Sequence, residues 1–332
     1  MVNFCPNGLS NATSVFERQV ATALHEFTHA LRSSSRFFPL MRHEDGTRRT
    51  PRDGEGNPPT HSSGVCPNGK NITYYVEPSS QTIKFSTERN HVVAKMVTPH
   101  VRKFVRDHFN CSTLKGGEIE SQDGECLGSH WEERLFEPED MTPVSSYRNV
   151  FSGLTLAFFV DSGWYRVNLS TSEVLHFGRK KGCIFATEKC INPATQAPLA
   201  SDHFCTTSVN EFQGCSIDAT SCALCSLSTK SLSILTEYQY LSNISTKGGP
   251  NSYADFCPLI VGYTGGDCSI TSNVLKLGTT TINAFGETYC PTCKCTTTSL
   301  RSVDSLKWLI SSPRQSGCYD MRCLANDNAI TA

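Results

Sequence analysis

Seventeen cysteines in a chain of 332 residues constrain the fold more than any other feature of the sequence. A reducing cytosol keeps thiols reduced, so this density indicates an oxidising compartment and a disulfide framework. Two C-x-x-C pairs, Cys222/Cys225 and Cys290/Cys293, leave a zinc ribbon as an alternative. The irregular spacing of the surrounding cysteines favours disulfides. The odd number leaves one thiol unpaired, or its partner outside this chain.

Other features agree with an extracellular or cell-surface protein. Five N-x-S/T sequons predict glycosylation, at Asn11, Asn71, Asn110, Asn168 and Asn243. No apolar run reaches the roughly 18 residues of a transmembrane helix. Lys and Arg (30) nearly balance Asp and Glu (31), which argues against a nucleic-acid partner. Membrane or cell-surface association and the oligomeric state stay open.

The first predicted element is a helix over residues 14–32. Ser14 and Glu17 have the spacing of a capping box. Apolar residues then recur every three or four positions and predict a buried face, which consists of Val20, Leu24, Phe27 and Leu31. His25 and His29 lie one turn apart on a different face.

The remainder of the chain mixes strand and helix patterns. Alternating apolar residues predict strands over 72–97, and Thr98-Pro99 begins a predicted helix over 99–109. The apolar stretch 150–160 predicts a buried helix. After about residue 190, short segments alternate with cysteines, Ser, Thr and Gly. We therefore expect an α+β fold with a disulfide-rich, loop-rich C-terminal domain.

Residues 25–29 read H-E-x-x-H on the predicted helix. Residues i and i+4 point the same way, so two imidazoles can bind one zinc ion while Glu26 takes a proton from water beside it. The extended form H-E-x-x-H-x-x-G-x-x-H is absent, because Arg32 replaces its glycine and Ser35 its last histidine. A third ligand must therefore come from a distant segment. The alternative is an exposed helical face that carries two histidines by chance.

His130 is the later histidine with the most informative surroundings. It follows Gly128-Ser129, and Met141 comes eleven residues later in an Asp-Met-Thr-Pro segment. A methionine in a tight turn beneath zinc-bound imidazoles is typical of metzincin proteases. The alternatives are a surface histidine at 130 and an ordinary core methionine at 141.

An ordered set of segments extends this pattern from residue 4 to residue 323: FCPNGLS, HEFTHAL, HFNCSTL, GSHWEERLFEPEDM, DSGWY, GCIFATEKC, YADFCPLIVGYTGGDCS and CYDMRC. With this set the chain resembles leishmanolysin, the M8 family of metzincin zinc endopeptidases. In that family a long insertion separates the H-E-x-x-H helix from the third histidine and the methionine turn. The resemblance covers nearly the whole chain.

The resemblance implies one catalytic zinc ion, bound by His25, His29 and His130. It implies that Glu26 is the general base that activates the attacking water, and that Met141 shapes the floor of the site without binding metal. The implied reaction is hydrolysis of peptide bonds in proteins or peptides. A purely structural zinc site is an alternative, and it would need a fourth protein ligand.

The resemblance also implies three parts. Residues 1–34 would be a remnant of the N-terminal catalytic subdomain with the zinc helix, 35–190 a central subdomain with the third ligand and the methionine turn, and 191–332 the Cys-rich domain. No signal peptide opens the chain, so we expect an N-terminally truncated member. A catalytically impaired protein acting in cell adhesion or protein interaction through the Cys-rich domain is the alternative, which Arg32 favours.

Overall fold

A computed structural model describes residues 9, 13–31, 33–61, 64–72, 74–121, 126–207, 213–242, 244–276, 286–297, 316–323 and 330–331. The chain divides into two compact units. The first unit comprises Met1–Lys189, Leu235–Tyr238 and Asn251–Phe256. The second comprises Cys190–Ile234, Gln239–Pro250 and Cys257–Ala332. Helices and strands are mixed, as an α+β fold requires, whereas the division into metzincin subdomains stays a prediction.

Five α-helices lie in the described part of the first unit: α1 (Thr13–Ala30), α2 (Pro99–Phe109), α3 (Glu133–Phe136), α4 (Gly153–Ser162) and α5 (Gly182–Thr187). The three helices predicted from the sequence correspond to α1, α2 and α4. Among the described residues, no helix combines the length and the apolar composition needed to span a bilayer.

The apolar face of α1 is exposed, so the prediction that it is buried is wrong. The exposed fractions of Val20, Leu24, Phe27 and Leu31 are 43%, 45%, 49% and 46%. Apolar spacing identifies a face of a helix, but it does not supply the neighbour that covers that face. In the described part of the chain nothing buries these four side chains. Over residues 15–30 of this helix, where burial is described, Thr28 is the one buried residue.

Helices α2 and α4 pack against each other in the first unit. The backbone N–H groups of His100 and Val101 donate to the carboxylate of Asp161 in α4, at 2.8 and 2.9 Å. This carboxylate, rather than the Thr98 side chain, therefore caps the N-terminus of α2, where negative charge is favourable. The buried face of α2 contains Val101, Val105 and Phe109.

Among the described residues of the first unit there are seven strands: β1 (Thr60–His61), β2 (Gly64–Val65), β3 (Asn71–Ile72), β4 (Tyr75–Val76), β5 (Ile83–Glu88), β6 (His91–Met96) and β7 (Gly117–Ile119). β1 pairs with β4 and β2 with β3, while β5, β6 and β7 form an antiparallel sheet in that order. Residues 130–132 continue this sheet beyond β7. The Glu132 N–H donates to the Glu118 carbonyl at 3.1 Å, and the Glu120 N–H donates to the His130 carbonyl at 3.0 Å.

A cluster of three cations and three anions lies on this sheet and on the residues next to it, and all of its members except Glu88 are buried. Its members are Arg89, Lys95, Arg134, Glu88, Glu118 and Asp255. Arg89 pairs with Glu118 through a short contact and lies 3.5 Å from Asp255. Burial alone would raise the pKa of Glu118, but the adjacent cations Arg89 and Lys95 outweigh it and lower that pKa to about 2.

Replacing Glu118 by glutamine should lower the free energy of unfolding by about 3–5 kcal/mol, because it leaves buried cations without their counter-charge. Since the folded pKa lies below the ordinary 4.5, this contribution is present above that pH and is lost as the pH falls towards 2. Denaturant unfolding of both proteins at pH 7 and pH 3 measures it. Equal stabilities at pH 7 would contradict the prediction.

The part of the second unit that the structure describes contains nine strands: β8 (Gln213–Cys215), β9 (Ser221–Cys225), β10 (Ser228–Thr229), β11 (Lys247–Gly248), β12 (Ile260–Asp267), β13 (Lys294–Thr297), β14 (Ser316–Tyr319), β15 (Arg322–Cys323) and β16 (Ile330–Thr331). β12, β9 and β8 form an antiparallel sheet in that order. Two-stranded pairs join β10 to β11, β13 to β14 and β15 to β16. The short strands agree with the predicted loop-rich character of this region.

Seven disulfides lie among the described residues: Cys66–Cys126, Cys111–Cys183, Cys190–Cys257, Cys205–Cys225, Cys215–Cys295, Cys268–Cys318 and Cys290–Cys293. The prediction of a disulfide framework is confirmed. Cys225, Cys290 and Cys293 are all in disulfides, which excludes them as ligands of a zinc ribbon. The first two bonds lie within the first unit and the other five within the second.

Candidate metal centre

Three imidazoles converge in the first unit. The Nε2 atom of His29 lies 3.0 Å from that of His25 and 3.1 Å from that of His130. The rings of His25 and His130 stack with 5.2 Å between their centroids. Two of these residues are one turn apart on α1, and the third lies a hundred positions downstream beside β7. The structure thus brings together the three histidines singled out in the sequence.

Backbone carbonyls orient the two histidines of α1. The Nδ1 atom of His25 lies 2.5 Å from the Asp140 carbonyl, and that of His29 lies 2.6 Å from the Ser33 carbonyl. A carbonyl oxygen only accepts, so each Nδ1 must carry the proton and donate it. Each Nε2 is then unprotonated and directs a lone pair at the centre of the cluster.

This arrangement fits a cation. Burial lowers the pKa of His29 and the neighbouring rings of His130 and His25 lower it further, against the hydrogen bond to Ser33, which raises it. Lone pairs facing each other at about 3 Å repel unless a positive charge lies between them. Nitrogen atoms bound to one tetrahedral zinc ion at 2.0–2.1 Å lie roughly 3.3 Å apart. The observed 3.0 and 3.1 Å are close to that spacing.

Comparison with known proteins identifies the family. The profile of the leishmanolysin family, peptidase family M8, matches residues 73–331. The chain belongs to the leishmanolysin family. The leishmanolysin-like peptidases of Drosophila melanogaster and Caenorhabditis elegans are 34% and 33% identical to it, over 82% and 78% of this chain. Leishmanolysin of Leishmania tropica is 30% identical over 55% of this chain.

The alignments cover only part of those leishmanolysin-family proteins. They span 43% of the Drosophila protein, 42% of the Caenorhabditis elegans protein and 27% of the Leishmania tropica protein. The chain therefore spans less than half the length of these curated relatives. The profile match includes His130 and Met141, whereas the H-E-x-x-H helix lies before its first residue.

The turn that carries Met141 connects the two sources of imidazole in this leishmanolysin-family chain. The carbonyl of Asp140 accepts from His25 on α1. The carbonyl of Met141 accepts from the N–H of Trp131 at 2.9 Å, next to His130. Met141 is completely buried. This short segment therefore fixes both the helix and the third histidine.

Glu139 stabilises the same turn through its carboxyl group. Its buried carboxyl accepts from the Met141 N–H at 2.6 Å, the Thr155 hydroxyl at 2.6 Å and the Ser152 hydroxyl at 3.0 Å. Burial raises the pKa of Glu139 to about 7, even though the hydrogen bonds that it accepts lower it. One donor belongs to the turn and the other two belong to residues 152 and 155, so these hydrogen bonds attach the turn to the start of α4.

Glu26 is exposed on α1, between the two histidines in sequence. An exposed carboxylate beside the cluster is accessible to water and to a substrate. Arg32, which stands where the extended motif has a glycine, lies outside the described residues.

Sequence reasoning missed the carbonyls of Ser33 and Asp140 and the carboxylate of Glu120. The carbonyls leave no side-chain signal, and Glu120 could have been found only by pairing residues 118–120 with 130–132.

Proposed function

We propose that this chain is a zinc-dependent metalloendopeptidase of the leishmanolysin family, which hydrolyses peptide bonds in proteins. The observation that carries the proposal is the convergence of three Nε2 atoms next to the glutamate of an H-E-x-x-H helix. Membership of a peptidase family supports it.

His25, His29 and His130 would hold the zinc ion. A bound zinc ion polarises the scissile carbonyl and lowers the pKa of water. The described residues contribute three histidines to the group, and catalytic zinc sites use three protein ligands whereas structural sites use four. This favours a catalytic site over a purely structural one.

Glu26 is the proposed general base. It takes a proton from the attacking water and later gives that proton to the leaving amine. The carbonyls of Asp140 and Ser33 keep the Nδ1 protons of the α1 histidines in place, so the Nε2 lone pairs stay directed at the site. Met141 is the proposed structural residue beneath the imidazoles.

The proposed substrates are proteins or peptides, and the proposed location is extracellular or at the cell surface. Three of the sequon asparagines, Asn71, Asn110 and Asn168, are exposed and could carry glycans. Asn11 and Asn243 lie outside the described residues. No observation on the described residues favours the alternative of an adhesion protein, so it is not proposed.

The test is to measure zinc content and hydrolysis on the same preparation of the chain. We expect one zinc ion per chain, and hydrolysis of a denatured protein substrate that a chelator removes and added zinc restores. His61→Ala is the control, because His61 pairs with Glu77 and is not one of the three converging histidines. That variant should keep both zinc and activity. A wild-type chain without stoichiometric zinc would overturn the proposal.

A further inference from the structure

His130 differs from the other two histidines in the partner of its Nδ1 atom. His25 and His29 each face a backbone carbonyl at a short distance. The Nδ1 of His130 is buried without an ordinary hydrogen bond, and the carboxylate Oε1 of Glu120 lies 3.5 Å from it. A buried ring nitrogen needs a partner, and a carboxylate is the strongest acceptor that a side chain offers.

Glu120 also holds the segment that carries His130. Its carboxylate accepts from the Ser129 N–H at 3.2 Å. Its backbone N–H donates to the His130 carbonyl at 3.0 Å, and its carbonyl accepts from the Gly128 N–H at 3.3 Å. The side chain is completely buried. One residue at the end of β7 thus contacts three consecutive residues of the segment.

Gly128 lies so close to the Glu120 carboxylate that position 128 has no room for a side chain. A Cβ atom at position 128 would lie 1.9 Å from the Glu120 Oε1 and 2.5 Å from the Glu120 carbonyl. Any side chain at 128 would push the carboxylate away from His130 or displace the segment. The glycine of the Gly128-Ser129-His130 sequence therefore has a steric reason, namely the close approach of Glu120.

The same segment is connected to the end of α1. The hydroxyl of Ser129 accepts from the backbone N–H of Ser35 at 3.1 Å. Ser33, two residues earlier, holds His29 through its carbonyl. A displacement of the 128–130 segment would therefore change the position of His130 relative to His29.

We propose that Glu120 is a positioning residue that sets the orientation and the donor strength of His130 in the metal centre. The inference rests on the proposed function. The carboxylate, 3.5 Å away, is the acceptor toward which the Nδ1–H group points, which favours the tautomer with Nε2 directed at the metal and makes the ring a better electron donor. Its buried negative charge also offsets part of the charge of the cation. The other two histidines, with neutral carbonyl partners, lack this contribution.

Glu120→Gln tests the charge and Glu120→Ala tests the contact, both in the full chain. The glutamine retains an acceptor for Ser129 and for His130 but removes the negative charge. We expect zinc affinity to fall about 10-fold in Glu120→Gln and about 100-fold in Glu120→Ala, the range for partners of metal ligands. Competition with a chromophoric chelator measures the affinity. The visible spectrum of the cobalt-substituted chain should shift in both variants, because the donor strength of one ligand changes.

Two controls separate positioning from general loss of structure. Glu133→Gln changes a buried glutamate that binds Asn251 and touches none of the three histidines. Glu118→Gln removes a buried carboxylate two positions from Glu120. Both should leave the zinc affinity of the folded chain unchanged. Denaturant unfolding of the zinc-free proteins shows whether each variant folds. If Glu120→Ala does not fold, the zinc affinity of Glu120→Gln alone tests the inference.

The outcomes distinguish this inference from the proposed function. If wild type binds zinc and Glu120→Gln binds it within about twofold of wild type, with an unchanged cobalt spectrum, the inference is overturned and the proposed function stands. An affinity loss in Glu120→Gln no larger than that in Glu133→Gln overturns it equally. A wild-type chain that binds no zinc overturns both.

Discussion

Glu26→Gln lowers the rate of peptide hydrolysis by about 100- to 10,000-fold, the range for loss of a general base. Glutamine has nearly the same shape as glutamate but cannot take the proton of the attacking water. Glu26 contributes no nitrogen to the histidine cluster, so the zinc content should stay at one ion per chain. The measurement pairs kcat/KM on a peptide substrate with metal analysis of the same sample.

Glu17→Gln is the matched control for this substitution. Glu17 is another exposed glutamate of α1, more than two turns before Glu26. It should leave both hydrolysis and zinc unchanged. If Glu26→Gln kept wild-type activity, Glu26 would not be the base and the proposed mechanism would fail. If it lost zinc together with activity, the residue would instead support the metal site.

His130→Ala should lower zinc affinity on the order of a thousandfold. Structural zinc sites in zinc-finger peptides, which use four ligands, have apparent binding free energies of about 10–16 kcal/mol, so each ligand accounts for several kcal/mol. The two histidines of α1 would remain, but two nitrogen atoms alone do not form a catalytic zinc site. Chelator competition measures the affinity, and His176→Ala, which changes an exposed histidine, is the control.

The same variant should loosen α1. Half-exposed apolar side chains cover one face of this helix. The contact of His25 with Asp140 ties its C-terminal half to the rest of the unit, and that of Ser35 with Ser129 ties the residues that follow it. Zinc shared between α1 and His130 would add a further link. We therefore expect faster amide hydrogen exchange over α1 in His130→Ala than in zinc-bound wild type. Full zinc affinity with unchanged exchange would exclude His130 as the third ligand.

Much of the fold could be predicted because its signals are local. Thr98-Pro99 marks the start of α2 at Pro99, and the apolar stretch from 150 corresponds to α4. The cysteine density predicts disulfides, although the pairing depends on which segments meet in space. The burial of a helical face also depends on its neighbours, and for that reason the prediction for α1 is wrong.

In the candidate site, too, the local features could be predicted and the contacts between distant segments could not. His25 and His29 can be recognised as a pair because four residues advance a helix by about one turn. His130 is predicted from the Gly128-Ser129 and Met141 segments around it and from the resemblance of the chain to a family, since helix geometry does not specify which of the distant histidines approaches α1. Glu120 was missed because it approaches His130 only through the antiparallel pairing of residues 118–120 with 130–132.

The sequence alone determined the oxidised, disulfide-bonded character of the chain, its helices α2 and α4, and the two imidazoles on one face of α1. These depend on residue type and on separations of a few residues, which backbone geometry converts directly into distances. Only the tertiary structure decided that His130 joins this pair. It also decided that the carbonyls of Asp140 and Ser33 orient His25 and His29, and that the carboxylate of Glu120 lies next to the Nδ1 atom of His130. Apart from the Ser33 contact, which is local, these contacts join different segments of the chain, and chain pairing and packing, rather than residue spacing, bring them together.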